Sequence, residues 1–148
     1  MRLTIYTDYT LRTLMFLALC PERLVTVAEI AETYAISENH LTKVVHQLGL
    51  AGDAQTIRGR SGGIRLARSP EAINLGAVVR RTEPDFAIAA CFDTPEACPL
   101  HSVCVLENAL AEAAAAFLAV LDRFTLADLI APRLALQRAL GLSPPTAR

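Results

Sequence analysis

Residues 26–66 constrain the fold of this chain more than any other stretch. Thr26-Val27-Ala28-Glu29 has the form of a capping box, in which the threonine accepts from a first-turn amide and the glutamate reaches back. It predicts a short helix from Val27 to about Tyr34. Ala35-Ile36 leaves room only for a tight connection. Ser37 then stands as the cap of a second helix from Glu38 to about Ala51, with Leu41, Val44, Val45 and Leu48 on one face and Gly52 as the stop. Directly afterwards, Ala54–Arg58 and Ile64–Ala67 flank the glycine-rich Gly59–Gly63, the pattern of a β-hairpin. Two short helices across a three-residue turn, followed at once by a hairpin, form a winged helix-turn-helix. The fold class expected is mainly α with a small β-hairpin wing.

The flanking sequence fills in the organisation. The chain of 148 residues is 53% hydrophobic with no tryptophan, which favours an aliphatic, mostly helical core. Its N-terminal stretch reads as an amphipathic helix with Leu11, Leu14, Met15 and Ala18 on one face. The apolar run Leu14–Cys20 is too short to span a bilayer, and Asp8 stands where a signal peptide is basic. The expectation is therefore a cytoplasmic protein with no membrane partner. Asn74 caps a short helix, Leu75 to about Thr82, which Pro84 ends. From Val103 a heptad stripe runs through Leu106, Leu110, Ala113, Phe117, Val120 and Phe124, suited to packing on its own domain or on a twin helix. Thr125-Leu126-Ala127-Asp128 caps a last helical segment, and the tail from Ser143 is expected to fray. The expected division is a winged helix-turn-helix over residues 1–83, a cysteine loop over 84–104, and a long dimerisation helix with a C-terminal helical segment over 105–148.

Net charge is only −1, so overall charge does not advertise a nucleic-acid partner, but its distribution does. Residues 54–68 hold four arginines and no acid, the footprint phosphate contacts leave. A recognition helix reads bases with its first turns. Those positions are Ser37, Glu38, Asn39, His40 and Lys43. Asn39 suits adenine, His40 suits guanine or phosphate, and Lys43 suits phosphate. In the wing, Arg58, Arg60 and Arg65 alternate outward, with Ser61 and Gly62-Gly63 at the tip, where glycines allow close approach to a minor groove. The bland alternative, an ordinary solvated helix start and a structural hairpin, leaves the arginines without a use.

Three cysteines share one proline-broken loop: Cys91, six residues, Cys98, five residues, Cys104. In a reducing compartment cysteines are ligands or core residues rather than disulfides. Widely spaced thiolates suit a bulky cluster, and an iron–sulfur cluster with three thiolates and one other ligand fits best. Zinc, which wants four ligands, and buried free thiols stay open. His101 lies between two of the thiols and is either a ligand or a loop histidine. Cys20 reads as core packing.

Taken together, Leu3-Thr4, Thr7-Asp8-Tyr9, Ser37-x-Asn39-His40-Leu41-x-Lys43, the wing Arg58-Gly59 to Leu66, the triple-cysteine loop and Phe124-Thr125-Leu126-Ala127-Asp128-Leu129 resemble the nitric-oxide-sensing iron–sulfur repressors called NsrR. These belong to a winged-helix superfamily that also contains IscR. The resemblance covers Met1 to about Leu140. It implies a homodimer with crossed long helices, bound to a palindromic double-stranded operator and released by nitric oxide. It also implies a cluster, [4Fe–4S] rather than [2Fe–2S], in the Cys91–Cys104 loop of each subunit. Asp8 matches the position of a non-cysteine ligand that reaches across the dimer; its alternative role is a cap of the first helix, which Thr7 would serve equally well. Two departures stand out. The first cysteine gap is longer than in relatives, and Glu107 occupies the place of the histidine ligand of IscR-like proteins. An iron- or redox-responsive regulator is the nearest rival. A small iron–sulfur electron carrier or a zinc-stabilised adaptor would leave the arginine wing unexplained. No catalytic dyad is present, so an enzyme is not expected.

Overall fold

The computed structural model describes residues 2–92, 94, 98–100 and 103–142. Helix α1 (Ile5–Leu19) is the central element. Thr4 caps it, its hydroxyl accepting from the Thr7 amide, so neither Thr7 nor Asp8 is the cap. The buried surface of α1 is wider than the expected stripe: Thr7, Thr10, Thr13, Leu14, Phe16, Leu17, Ala18 and Leu19 are buried, while Leu11 and Met15 are half-buried. Threonines tolerate this position because Thr10 and Thr13 return their hydroxyls to the carbonyls of Tyr6 and Tyr9, at 2.8 and 2.7 Å.

Helices α2 (Val27–Tyr34) and α3 (Glu38–Leu50) pack against each other, and α3 also packs against α1. The turn between them closes through Ala35 in the left-handed region, φ 53°. Thr26 caps α2 as the sequence predicts. Glu29 does not reach back, however, because its carboxylate is taken by Arg23. Ser37 is the first non-helical residue before α3 but makes no side-chain capping bond. Leu41, Val44, Val45 and Leu48 are buried as the period requires.

The wing is the antiparallel pair β1 (Ala54–Ile57) and β2 (Gly63–Leu66), with Gln55 opposite Arg65 and Thr56 opposite Ile64. It is not a free hairpin. Ile64 is buried and exchanges both backbone hydrogen bonds with Val25, at 3.0 and 2.7 Å, which docks the wing on the segment before α2. Helix α4 (Leu75–Thr82) follows, capped by Asn74.

Helix α5 (Val105–Leu121) buries none of its side chains. Beyond it, Thr125 and Asp128 form the expected capping box at α6 (Leu126–Leu129). Pro132 then separates α6 from a further helix, α7 (Arg133–Ala139), so the last segment is two helices. Both pack on α1, and Leu126 and Ile130 join the core built by α1–α4 and the wing. Hydrophobically, the chain after α5 belongs with residues 1–83. Among the described residues no helix is long and apolar enough to cross a membrane.

Candidate nucleic-acid interface and thiol segment

The side chains expected to read DNA come to the surface of α3 and the wing. Ser37, Asn39, His40, Lys43, Arg58, Arg60 and Ser61 are all exposed, and Gly62 is half-buried. Burial of Leu41, Val44, Val45 and Leu48 turns the opposite face of α3 outward, which is what presents Asn39, His40 and Lys43 together. Among the described residues, no carboxylate pairs with Lys43, Arg58 or Arg60. Arg65 donates through Nε and Nη2 to Gln55 Oε1, at 3.2 and 3.1 Å, so a neutral amide holds it in place across the hairpin. Three uncompensated cations beside an exposed helix start can neutralise a polyanion.

Gly62 has a reason of its own to be glycine. A Cβ there would lie 2.3 Å from the Ile57 carbonyl oxygen, so the tip closes only without a side chain. Close approach to a groove is not needed to explain it. His40 is also less free than its sequence suggests. The ring of Tyr9 on α1 lies 6.1 Å from it, centroid to centroid, and steadies it from behind.

One feature of this face was not visible in the sequence. Asp53, in the turn after α3, is fully buried and holds two guanidinium groups. Arg68, just past β2, donates through Nε at 2.9 Å and through Nη2 to Oδ1; Arg81 of α4 donates through Nη2 to Oδ2. Arg68, counted with the cationic stripe, is thus bound to Asp53. The nearest sequence signal is only that Asp53 lacks a cation at helical spacing.

The cysteines occupy the segment between α4 and α5. Cys91 sits in a short 3-10 turn (Ala90–Phe92), Cys98 in the loop, and Cys104 at the N-cap of α5, its Sγ accepting from the Glu107 amide at 3.4 Å. That sulfur faces the positive end of the α5 dipole. All four cysteines are free thiols and half-buried. His101 lies outside the described residues, as does the expected frayed tail from Ser143. Asp8, in the first turn of α1, pairs with Arg12 one turn on, at 2.9 Å, and remains 45% exposed. Among the described residues, no three His, Cys, Asp or Glu side chains converge on one point. As a donor set, three accessible thiols with one at a helix N-terminus fit an iron–sulfur cluster, whose net negative charge the amides of α5 would face. Cys20 ends α1 near Arg23, whose Nη2 lies 3.6 Å from its sulfur; burial raises its thiol above the ordinary value, and it packs against the core.

Residues 3–132 match the family model described as "Rrf2: Iron-dependent Transcriptional regulator". The chain belongs to the Rrf2 family. It is 55% identical over 132 residues to the HTH-type transcriptional regulator NsrR of Bacillus subtilis, covering 88% of this chain and 90% of that one. It is 49% identical over 146 residues to NsrR of Halalkalibacterium halodurans, covering 97% and 100%. Among solved structures it is similar to T. potens IscR, with TM-score 0.72 and 26% identity over 89% of this chain and 88% of that one. It is also similar to CymR, the global cysteine regulator of B. subtilis, with TM-score 0.69 and 28% identity over 88% and 97%. The winged helix-turn-helix is therefore the fold of an Rrf2 transcriptional regulator, a DNA-binding protein and not an enzyme.

Proposed function

We propose that this Rrf2 protein is a homodimeric repressor that holds a palindromic operator and releases it in response to nitric oxide. Its ligands to an iron–sulfur cluster, [4Fe–4S] rather than [2Fe–2S], are Cys91, Cys98 and Cys104, with Asp8 supplied across the dimer. The observation that carries this reading is the set of three unbridged, half-buried thiols between α4 and α5 in a chain about half identical to regulators named NsrR. A bound cluster supplies the iron at which nitric oxide reacts; the rest falls to the chain's own residues.

Two α5 helices pair along the exposed stripe and set the separation of two recognition helices, which must match successive major grooves about 34 Å apart. Asn39 and His40 contact base edges. Lys43, Arg58, Arg60 and the wing tip at Ser61-Gly62 neutralise phosphates or enter the minor groove. Thiols anchored at the start of α5 and in the Ala90–Phe92 turn brace the segment between α4 and α5 when all three are engaged. When they are not, that brace is lost, and the grip on two half-sites with it. The family description, iron-dependent, favours a second reading within the same class, in which iron supply is the signal.

Absorbance of oxygen-free protein, before and after stoichiometric nitric oxide, tests this together with binding to a duplex selected from a random pool. The expected result is a broad band near the visible–ultraviolet edge that bleaches with nitric oxide as operator affinity falls. Colourless protein after attempted reconstitution overturns the cluster reading. Release on iron chelation but not on nitric oxide favours the iron-supply reading.

A further inference from the structure

The adjacent arginines of α4 point to different parts of the molecule. Arg80 makes a two-pronged pair with Asp122 at the C-terminal end of α5, one prong at 2.7 Å. The contact is tight: a Cβ on Gly76 would fall 2.0 Å from Asp122 Oδ1. Asn74 adds bonds to the Asp122 and Phe124 carbonyls, at 2.8 and 3.3 Å. Arg81 grips the buried Asp53. Asp53 in turn is the junction between recognition helix and wing. Its amide donates to Leu48 of α3 at 3.0 Å, its carbonyl accepts from Ala67 just past β2 at 2.9 Å, and its carboxylate holds Arg68. The far end of α4 is bound to the start of α1, where the Thr7 hydroxyl donates to Thr82 at 2.8 Å and the Glu83 carboxylate accepts from the Thr4 amide at 2.8 Å.

A carboxylate with no exposure is costly unless paired, and both Asp53 oxygens are paired. A turn between helix and hairpin has no need of so expensive an anchor for its own geometry, because the Leu48 and Ala67 backbone bonds already close it. What the carboxylate adds is the connection to α4.

We propose that Asp53, held by Arg81 and Arg68, is a positioning residue that sets the angle of the wing relative to the recognition helix from α4, and thereby determines operator discrimination. Arg81 acts through Asp53 rather than on DNA. The inference rests on the DNA-binding reading and does not depend on the cluster.

Its test compares wild type, R81Q and R81K on an operator duplex selected by the wild-type protein from a random pool and on a scrambled duplex of equal length. Hydrogen exchange of the 53–67 segment is followed in parallel. In R81Q, operator affinity should fall about fivefold or more while scrambled-duplex affinity changes less than about twofold, and exchange in 53–67 should quicken. R81K, which can still pair with Asp53, should restore most of the difference. If R81Q does not fold, R68Q is expected to show the same selective loss with Asp53 still paired to Arg81. Equal losses on both duplexes would identify Arg81 as a surface cation and overturn the proposal, as would no loss at all. Wild-type protein that enriches no sequence overturns this proposal and the DNA-binding reading together. Wild type that selects a duplex while R81Q binds it equally well overturns this one alone.

Discussion

Helices α1 and α5 are of similar length, 15 and 17 residues, yet they live in opposite surroundings. Helix α1 is buried along most of its circumference, with its buried threonines turned back on its own backbone or paired with α4. Helix α5 has no fully buried side chain, and only part of it, Leu110, Phe117, Leu118 and Leu121 among others, is half-buried; Val105 is 81% and Leu106 65% exposed, and Val120 and Phe124 continue the open stripe. In proteins most helical stability comes from tertiary packing of an amphipathic face, and a contiguous apolar face left exposed marks an interface. The contrast separates a unit whose apolar face is covered within one chain from an element whose apolar stripe is left open.

Mutations should divide along the same line. Phe16→Ala, at a site with no exposure, should cost about 3–5 kcal/mol, a large part of the stability of a domain this size, read as a fall in the denaturation midpoint. Leu106→Asp with Val120→Asp should turn a dimer into a folded monomer by light scattering. Its far-ultraviolet signal should be retained apart from some loss in α5, and high-affinity operator binding should be abolished. Should the stripe variants unfold the whole protein instead, the two regions are not separable. The smallest effect is expected at the joint between them. The Arg80 guanidinium, exposed though the pair is, lowers the Asp122 carboxyl below its usual range. A lowered folded-state value means the contribution is complete above the ordinary carboxylate range near pH 4 and disappears as pH falls below it. Asp122→Asn should flatten that acid dependence of α5 melting by lowering stability slightly at neutral pH, to about the level the wild type reaches in acid.

Legibility in the sequence followed the range of the determining contacts. The α2–turn–α3–wing order, the Asn74 cap and the Thr125–Asp128 capping box rest on residues a few positions apart, and all appear as read. Glu29 failed its local role because Arg23, six residues away, offered a charged partner in place of a backbone amide. Burial of Thr7 is fixed by Thr82, and the charge of Asp53 is absorbed by Arg68 and Arg81, fifteen and twenty-eight positions on. No periodicity encodes those partners. The same holds for α6 and α7, whose place on α1 is set by packing at a distance of more than a hundred residues. In the thiol segment the sequence displayed the donor types, whereas Cys104 as the cap of α5 emerged only with the helix boundary.

The C-terminal end of α1 carries a consequence for how the protein comes into being. Its last free carbonyl, that of Leu19, receives Arg133 Nη2 and Gln137 Nε2, each at 3.0 Å, from a helix 114 and 118 positions downstream. The end of α1 is therefore completed only when residues of α7, more than a hundred positions later, are in place. A chain ending before α7 would carry α3 and the wing complete, with the last carbonyl of its central helix left without these two donors.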